Sequence, residues 1–382
     1  MFSKNINFKN FSHKFNNKKI KKDLKNILSE DNEILKSLKS TYKYQYNKNL
    51  IKKINKEKIL KIIGIGGSIL GTQAIHDYLK YKIKRKIFFY DNLESKLKLK
   101  KNSVNIIVSK SGNTLETIAN TNILIKKNEK NIFITGPQNS YLRSLALQIK
   151  AEIVNHNNFI GGRYAVMSEV GMLPAELMGL NERKFKQLNN LIKNKYFINL
   201  LVTNVANTLF FIKNKRFNSI ILNYDNSSNN LFKWYQQLIA ESLGKKGKGI
   251  LPIISSMPKD NHSLMQLYLD GPKKNFFTFF YAKENSTSRI NNNKILKSHN
   301  YLKYKTLENI KFAQKLATQN VFLKKNIPFR SFEVIHKNEQ SLGELFCFFI
   351  LETMLLSKAL NVNPYDQPSV ELIKKETKKI LV

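Results

Sequence analysis

Twice along this chain, short apolar runs of strand length alternate with longer helical stretches. That rhythm argues for an α/β protein whose parallel sheets are covered by helices. In the first block, residues 59–65 read as a buried strand, and 87–90, 104–108, 131–135 and 151–154 as four more. Helices are expected over 71–81, 115–127 and 140–148. The second block starts near Phe217. Strands are expected at 219–223, 276–281 and 330–335, and helices at 231–243, 302–323, 340–360 and 369–380. Residues 180–215 are mostly helical in pattern and bridge the blocks. The shared plan is compatible with a duplication that no short-period repeat demonstrates. Residues 284–300 are polar and rich in Asn, Ser and Lys, the composition of a disordered stretch.

A chain of 382 residues, 42% hydrophobic, can bury the cores of two domains. Its one cysteine, Cys347, lies within Leu345-Phe346-Cys347-Phe348-Phe349-Ile350 and reads as a buried, inert thiol. One cysteine excludes a disulfide framework and any cysteine-based zinc site, and it suits a reducing cytoplasm. The six histidines show no metal-ligand spacing. No continuous apolar run reaches the roughly 18 residues of a membrane helix. The first 22 residues are basic and rich in Asn and Phe, without the apolar core of a signal peptide. They read as an exposed arm or a first amphipathic element. The net charge of +38 suggests nucleic-acid binding. The lysines are spread over nearly every helix and loop, however, and no zinc-finger, basic-zipper or RNA-binding aromatic signature is present. A compositional bias toward Lys, Asn and Ile is the preferred reading. Either way the surface should attract anions.

The chemistry-bearing segments fall at the ends of these elements. Ser109-Lys110-Ser111-Gly112-Asn113-Thr114 joins a strand to a helix and crowds three hydroxyls into one turn. Free N–H groups, the helix dipole and a glycine that lets the backbone curl would cradle a phosphate; an ordinary helix N-cap competes. Gly64-Ile65-Gly66-Gly67-Ser68 also follows a strand but fails the dinucleotide fingerprint, with Ile69 at the third glycine. Such loops sit at the carboxyl ends of parallel strands, where ligands bind. Gly161-Gly162-Arg163-Tyr164 presents a guanidinium that stabilises an anion or simply forms a salt bridge in a turn. Gln237 and Glu241 share one helix face beside the apolar stripe of Trp234 and Leu238. Glu241 is either a positioned base or a solvated partner of Lys245. His262, at a loop-to-helix start, suits proton transfer or capping. In Tyr365-Asp366-Gln367-Pro368, Asp366 fits an N-cap and Pro368 an early helical position, with Lys374 one to two turns on.

Together, and in this order over about residues 60–375, these segments resemble the phosphoglucose isomerase family. The chain departs from the family pattern at Ala165, at Pro368-Ser369 and at Ile373, and it is shorter than most members. The resemblance implies two sugar-isomerase (SIS) αβα sandwiches at 46–185 and 186–362. A helical N-terminal arm (1–45) and a C-terminal helix carrying the active-site lysine (363–382) would flank them. It implies a cytoplasmic homodimer that converts glucose 6-phosphate to fructose 6-phosphate, in glycolysis and gluconeogenesis, with no metal or nucleotide cofactor. By the same resemblance, Ser109, Ser111, Thr114 and the Lys110 backbone hold the phosphate, while Gly67, Ser68, Gln237 and Gln367 line the sugar. His262 and Lys374 open the ring, with His262 contributed across the subunit interface. Glu241 moves the proton between C2 and C1, and Arg163 stabilises the cis-enediolate. A non-catalytic sugar-phosphate sensor on the same sheets and a nucleic-acid-binding protein are the competing readings; no membrane partner is expected.

Overall fold

Each block supplies the parallel strands of one five-stranded sheet in a computed structural model that describes residues 2–12, 17–54, 57–95, 103–284 and 287–382. The strands run β1 (Ile6–Lys9), β2 (Ile59–Ile63), β3 (Lys86–Tyr90), β4 (Val104–Ser109), β5 (Lys130–Thr135), β6 (Glu152–Asn155), β7 (Asn218–Asn223), β8 (Leu251–Ser256), β9 (Asn275–Ala282) and β10 (Phe329–Val334). The helices used below are α1 (Lys18–Ser29), α2 (Leu70–Tyr78), α3 (Leu115–Leu124), α4 (Tyr141–Gln148), α5 (Lys195–Lys213), α6 (Asn229–Leu243), α7 (Leu307–Lys324), α8 (Glu339–Leu360) and α9 (Pro368–Leu381).

The first sheet has the order β3-β2-β4-β5-β6 and is wholly parallel. Every residue of β4 is buried, as expected of a central strand covered on both faces. The second sheet repeats the order as β8-β7-β9-β10, all parallel. Its fifth place is taken by β1, which runs antiparallel to β10 with Ile6 opposite Val334 and Phe8 opposite Phe332. Residues 6–9, expected in an exposed arm or amphipathic element, are therefore an edge strand. Phe2 and Phe8 anchor it: the Phe8 ring lies 4.4 Å from Phe332 and 5.4 Å from Phe348. Further along, α1 buries Leu24 and Ile27.

β8 is a second strand that the apolar pattern missed. It carries Pro252, which cannot donate to a ladder, and it survives because it lies at the sheet edge. The helix expected over 302–323 starts at Leu307, where Thr306 and Asn309 form a reciprocal cap. The polar stretch 284–300 holds short 3₁₀ turns at 292–294 and from 297 onward, while Asn285 and Ser286 lie outside the described residues.

Between the layers runs α8, with residues 345–351 fully buried. Cys347 sits at its centre, where burial pushes the thiol up to about 12 and keeps it protonated and inert. α5 packs against α8 and buries Phe197, Leu201, Val202 and Val205. It is the one helix among the described residues long and apolar enough to cross a membrane, and half of it is covered by protein.

Candidate active site

The site grows from the carboxyl ends of β2 and β4, which are neighbours in the first sheet. After β2 the chain makes a 3₁₀ turn at Gly66–Ser68 and enters α2. Gly66 adopts φ +54°, a conformation that side chains disfavour. Gly67 is required for a different reason: a Cβ there would stand 2.2 Å from the Gly162 carbonyl carbon and 2.4 Å from the Arg163 nitrogen. Backbone thus packs directly on backbone, locking the glycine turn to the Gly161-Gly162-Arg163 turn.

After β4 comes the hydroxyl turn. Thr114 takes the N-cap position of α3, yet its side chain makes no capping bond. Its hydroxyl instead lies 3.0 Å from the Ser109 hydroxyl and 3.4 Å from that of Ser111. The three oxygens converge, and the first N–H groups of α3 are left without a side-chain cap. No hydroxyl of the turn is taken up in capping α3, and the Ser111 oxygen accepts the Asn113 N–H at 3.2 Å. Gly112, at φ +64°, closes the turn by donating its N–H to the Ser109 hydroxyl at 3.2 Å. Burial of Lys110 lowers its ammonium pKa.

Arg163 is the hub. It is 3% exposed, and its guanidinium reaches two parts of the chain, 241–242 and 364–367. Nε donates to Ser242 Oγ at 2.9 Å. Nη1 donates to Glu241 Oε2 at 2.9 Å and to Gln367 Oε1 at 2.7 Å. Nη2 binds the carbonyls of Pro364 and, at 3.1 Å, Asp366. Trp234 Nε1 holds the Arg163 carbonyl at 3.0 Å, and Tyr164 shares the Ser242 hydroxyl at 2.9 Å. Each buried donor is matched, so the charge is fixed in place.

Glu241 therefore pairs with Arg163 rather than with Lys245. Lys245 instead binds Asp366 at 2.9 Å, and that ammonium holds the Asp366 carboxyl below its usual range. Gln237 Nε2 donates to Glu241 Oε1 at 2.9 Å, leaving Gln237 Oε1 buried and unpaired. A hypothetical Cβ on Gly66 would lie 3.0 Å from that Nε2, which places the amide against the glycine turn. One carboxylate oxygen pair is thus oriented from both sides, with the side chain 28% exposed toward the open face.

The structure brings Gly67, Arg163, Gln237, Glu241 and Gln367 together, with Ser68 beside them and Ser109, Lys110, Ser111 and Thr114 on the adjoining strand end. It does not bring in His262 or Lys374. His262 ends a short exposed turn after β8, and its ring has no hydrogen-bond partner among the described residues. Lys374 lies on α9 with its side chain 62% exposed, paired with Glu371 at 2.7 Å. Asp366 is not the N-cap of α9; Gln367 occupies that position and Pro368 opens the helix. Sequence reasoning gave no role to Ser242 or Tyr164, and read Lys245 only as a partner of Glu241 and Asp366 only as a cap. These position Arg163 and the 364–367 segment, and only a fold that joins residues some 80 and 200 positions apart reveals it.

The sequence matches the phosphoglucose isomerase family over residues 11–382. It is similar to a glucose-6-phosphate isomerase of Methanocaldococcus jannaschii, 32% identical over 356 residues that make up 87% of this chain and 86% of that protein. One from Mycoplasmopsis pulmonis is 32% identical over 375 residues, 88% of this chain and 87% of the other. Among solved structures, a hypothetical protein from Thermus thermophilus shares the fold with a TM-score of 0.81 at 21% identity, covering 96% of this chain and 94% of its own. A glucose-6-phosphate isomerase from Chlamydia trachomatis superposes with a TM-score of 0.70 at 20% identity, covering 87% and 71%. With its two like-ordered sheets and the pairing of Arg163 with Glu241 between them, this chain belongs to the phosphoglucose isomerase family.

Proposed function

We propose that the chain interconverts glucose 6-phosphate and fructose 6-phosphate through a cis-enediolate, with Glu241 as the base. The observation that carries this reading is the fixed Glu241–Arg163 contact at 2.9 Å, set beside the glycine turn and one strand away from the hydroxyl turn. The hydroxyls of Ser109, Ser111 and Thr114, the Lys110 backbone and the free N–H groups of α3 take the phosphate, and the reacting carbons then lie along the glycine turn. Gly67 and Ser68 line the sugar there. Gln237 and Gln367 line it from the other side.

Ring opening moves one proton off the O1 hydroxyl while another reaches the ring oxygen, and the C1–O5 bond breaks. His262 and Lys374 carry this step. The exposed, unpartnered His262 ring fits a homodimer in which His262 serves the neighbouring subunit's site. Glu241 then takes the proton from C2 and returns it to C1. As the carboxylate is protonated, its negative charge passes to the substrate oxygen. The Arg163 guanidinium, already held on every side, faces the new anion without reorganisation. The same reading places the reaction in glycolysis and gluconeogenesis in the cytoplasm, and assigns sugar-isomerase domains to 46–185 and 186–362.

A coupled assay of fructose 6-phosphate formation tests the assignment. Glu241→Gln keeps the shape and the Arg163 contact but removes the base, and kcat should fall by about 10²-fold or more. Wild-type turnover in that variant would show that Glu241 is not the base.

A further inference from the structure

The active-site cleft has a counterpart that the reaction does not use. In the first sheet the strand order reverses at β2 and β4, and the glycine and hydroxyl turns sit there. In the second sheet the same reversal falls at β7 and β9, and the loops after those strands line a cleft of about 670 Å³. That volume admits a ligand of sugar-phosphate size.

The correspondence extends to residues. Gly66–Ser68 and Asn226–Ser228 are both 3₁₀ turns leading into a helix, α2 in one case and α6 in the other. With those turns superposed in sequence, Gln237 and Glu241 fall on Asp77 and Tyr81, and both of these line the second cleft. The strand ladders give a separate check. Ile63 pairs with Ile107, and Asn223 with Phe280, so Lys110 falls on Lys283, which also lines the cleft. α2 and α6 run in opposite directions between the two sites. Gly66 at the start of α2 meets Gln237 near the end of α6, and Asn230 at the start of α6 binds Asp77 near the end of α2 at 2.6 Å.

The chemistry has changed at both key places. A tyrosine stands where the first cleft has its base, and Ala282-Lys283-Glu284 replaces Ser109-Lys110-Ser111. In place of the Ser109 and Ser111 hydroxyls, the second cleft gathers Lys80, Lys283, Lys311 and Lys337, beside Ser227 and the tyrosines Tyr78, Tyr81 and Tyr224. Its acids are already engaged: Asp225 with Lys337 at 3.0 Å, Glu284 with Lys311 at 2.8 Å, and Asp77 with His76 and Asn230. Lys80 and Lys283 have no side-chain partner among the described residues.

We propose that this cleft is a second ligand site, which binds a phosphate monoester of a small polyol without transforming it. The phosphate sits between Lys80 and Lys283, and Asn226 and Asp77 face the hydroxyls. The equivalence rests on the function proposed for the first cleft, so the two are tested side by side. Full-length protein is dialysed to equilibrium against radiolabelled glucose 6-phosphate, whose label counts both isomers. The wild type should bind two equivalents per chain. Ser111→Asp, which puts a negative charge in the first phosphate cradle, should lose isomerase activity and keep one. Lys283→Glu should keep wild-type kcat and lose one, its affinity there falling by about tenfold or more. Lys80→Glu should behave like Lys283→Glu. One equivalent in the wild type, lost in Ser111→Asp, would overturn the second site and leave the first intact. Two equivalents in both lysine variants would overturn its location. Isomerase activity retained in Ser111→Asp would instead count against the reading of the first cleft.

Discussion

Two adjacent turns each offer glycines to mutation, and the structure predicts opposite outcomes for them. Gly67→Ala adds a Cβ that falls 2.2 Å from the Gly162 carbonyl carbon, about 1.2 Å inside the 3.4 Å where ordinary contact begins. Both neighbours at that point are main-chain atoms, so no side-chain rotation relieves the overlap. The φ of Gly67 is not in the left-handed region, so alanine has no backbone penalty of its own, and the cost is the contact alone. Overpacking of this kind costs about 1–3 kcal/mol. The relief must come from moving the 161–163 turn, which carries Arg163, or the 66–68 turn, which faces Gln237. A shift of about 1 Å at a catalytic group costs about 10²-fold in rate. Gly162→Ala is the control, because its Cβ would approach Gly67 Cα no closer than 3.5 Å, an ordinary contact. Thermal unfolding and kcat/KM in the coupled assay should show Gly67→Ala destabilised by a few degrees and slowed about 10²-fold, with Gly162→Ala near wild type in both. Equal damage from the two substitutions, or none from Gly67→Ala, would refute the packing account.

Further expectations concern the hub, the histidine, the cradle and pH. Arg163→Lys keeps the charge but leaves the buried Ser242 hydroxyl short of a donor, a loss of about 1–3 kcal/mol, and releases the more exposed Gln367 side chain and the Pro364 and Asp366 carbonyls; kcat/KM should drop and α9 should become more open to limited proteolysis. Glu241→Gln and His262→Ala should each be inactive alone, yet co-refolding them should restore about a quarter of wild-type activity through mixed dimers; no recovery would place His262 in its own subunit's site. Removing the Ser111 hydroxyl by Ser111→Ala should raise KM by about tenfold with little change in kcat, because the phosphate contact is made in ground and transition states alike. Burial pushes the His156 imidazole down to about 4, so the folded state holds it neutral while the unfolded chain is protonated below about 6.5. Stability from this group is complete above that pH and is lost as pH falls toward 4, on the order of 3 kcal/mol, and urea midpoints of His156→Gln should show a flatter acid limb.

The sequence alone determined the layered α/β architecture, because strand and helix periods are local properties of apolar spacing. It also marked the turns, since hydroxyls, glycines and a following helix lie within ten residues of one another. It missed β8, where Pro252 interrupts the pattern and only an edge position makes it tolerable, and β1, whose four residues become a strand only because β10 offers them an edge. The hydroxyl turn after β4 was equally compatible with a cap and a cradle in sequence, and only the fold shows that its oxygens lie against one another and that none caps the helix. In sequence Glu241 was either a positioned base or a solvated partner of Lys245, and the tertiary structure pairs it with Arg163 by carrying residue 163 across from the other sheet's connections. Long-range packing decided these points because a side chain's partner, and so its charge environment, is set by which segments meet in space. The second cleft belongs to the same class. Its residues are scattered along the chain, and only the repeated strand order brings Asp77, Lys80, Asp225, Lys283 and Lys337 to one place.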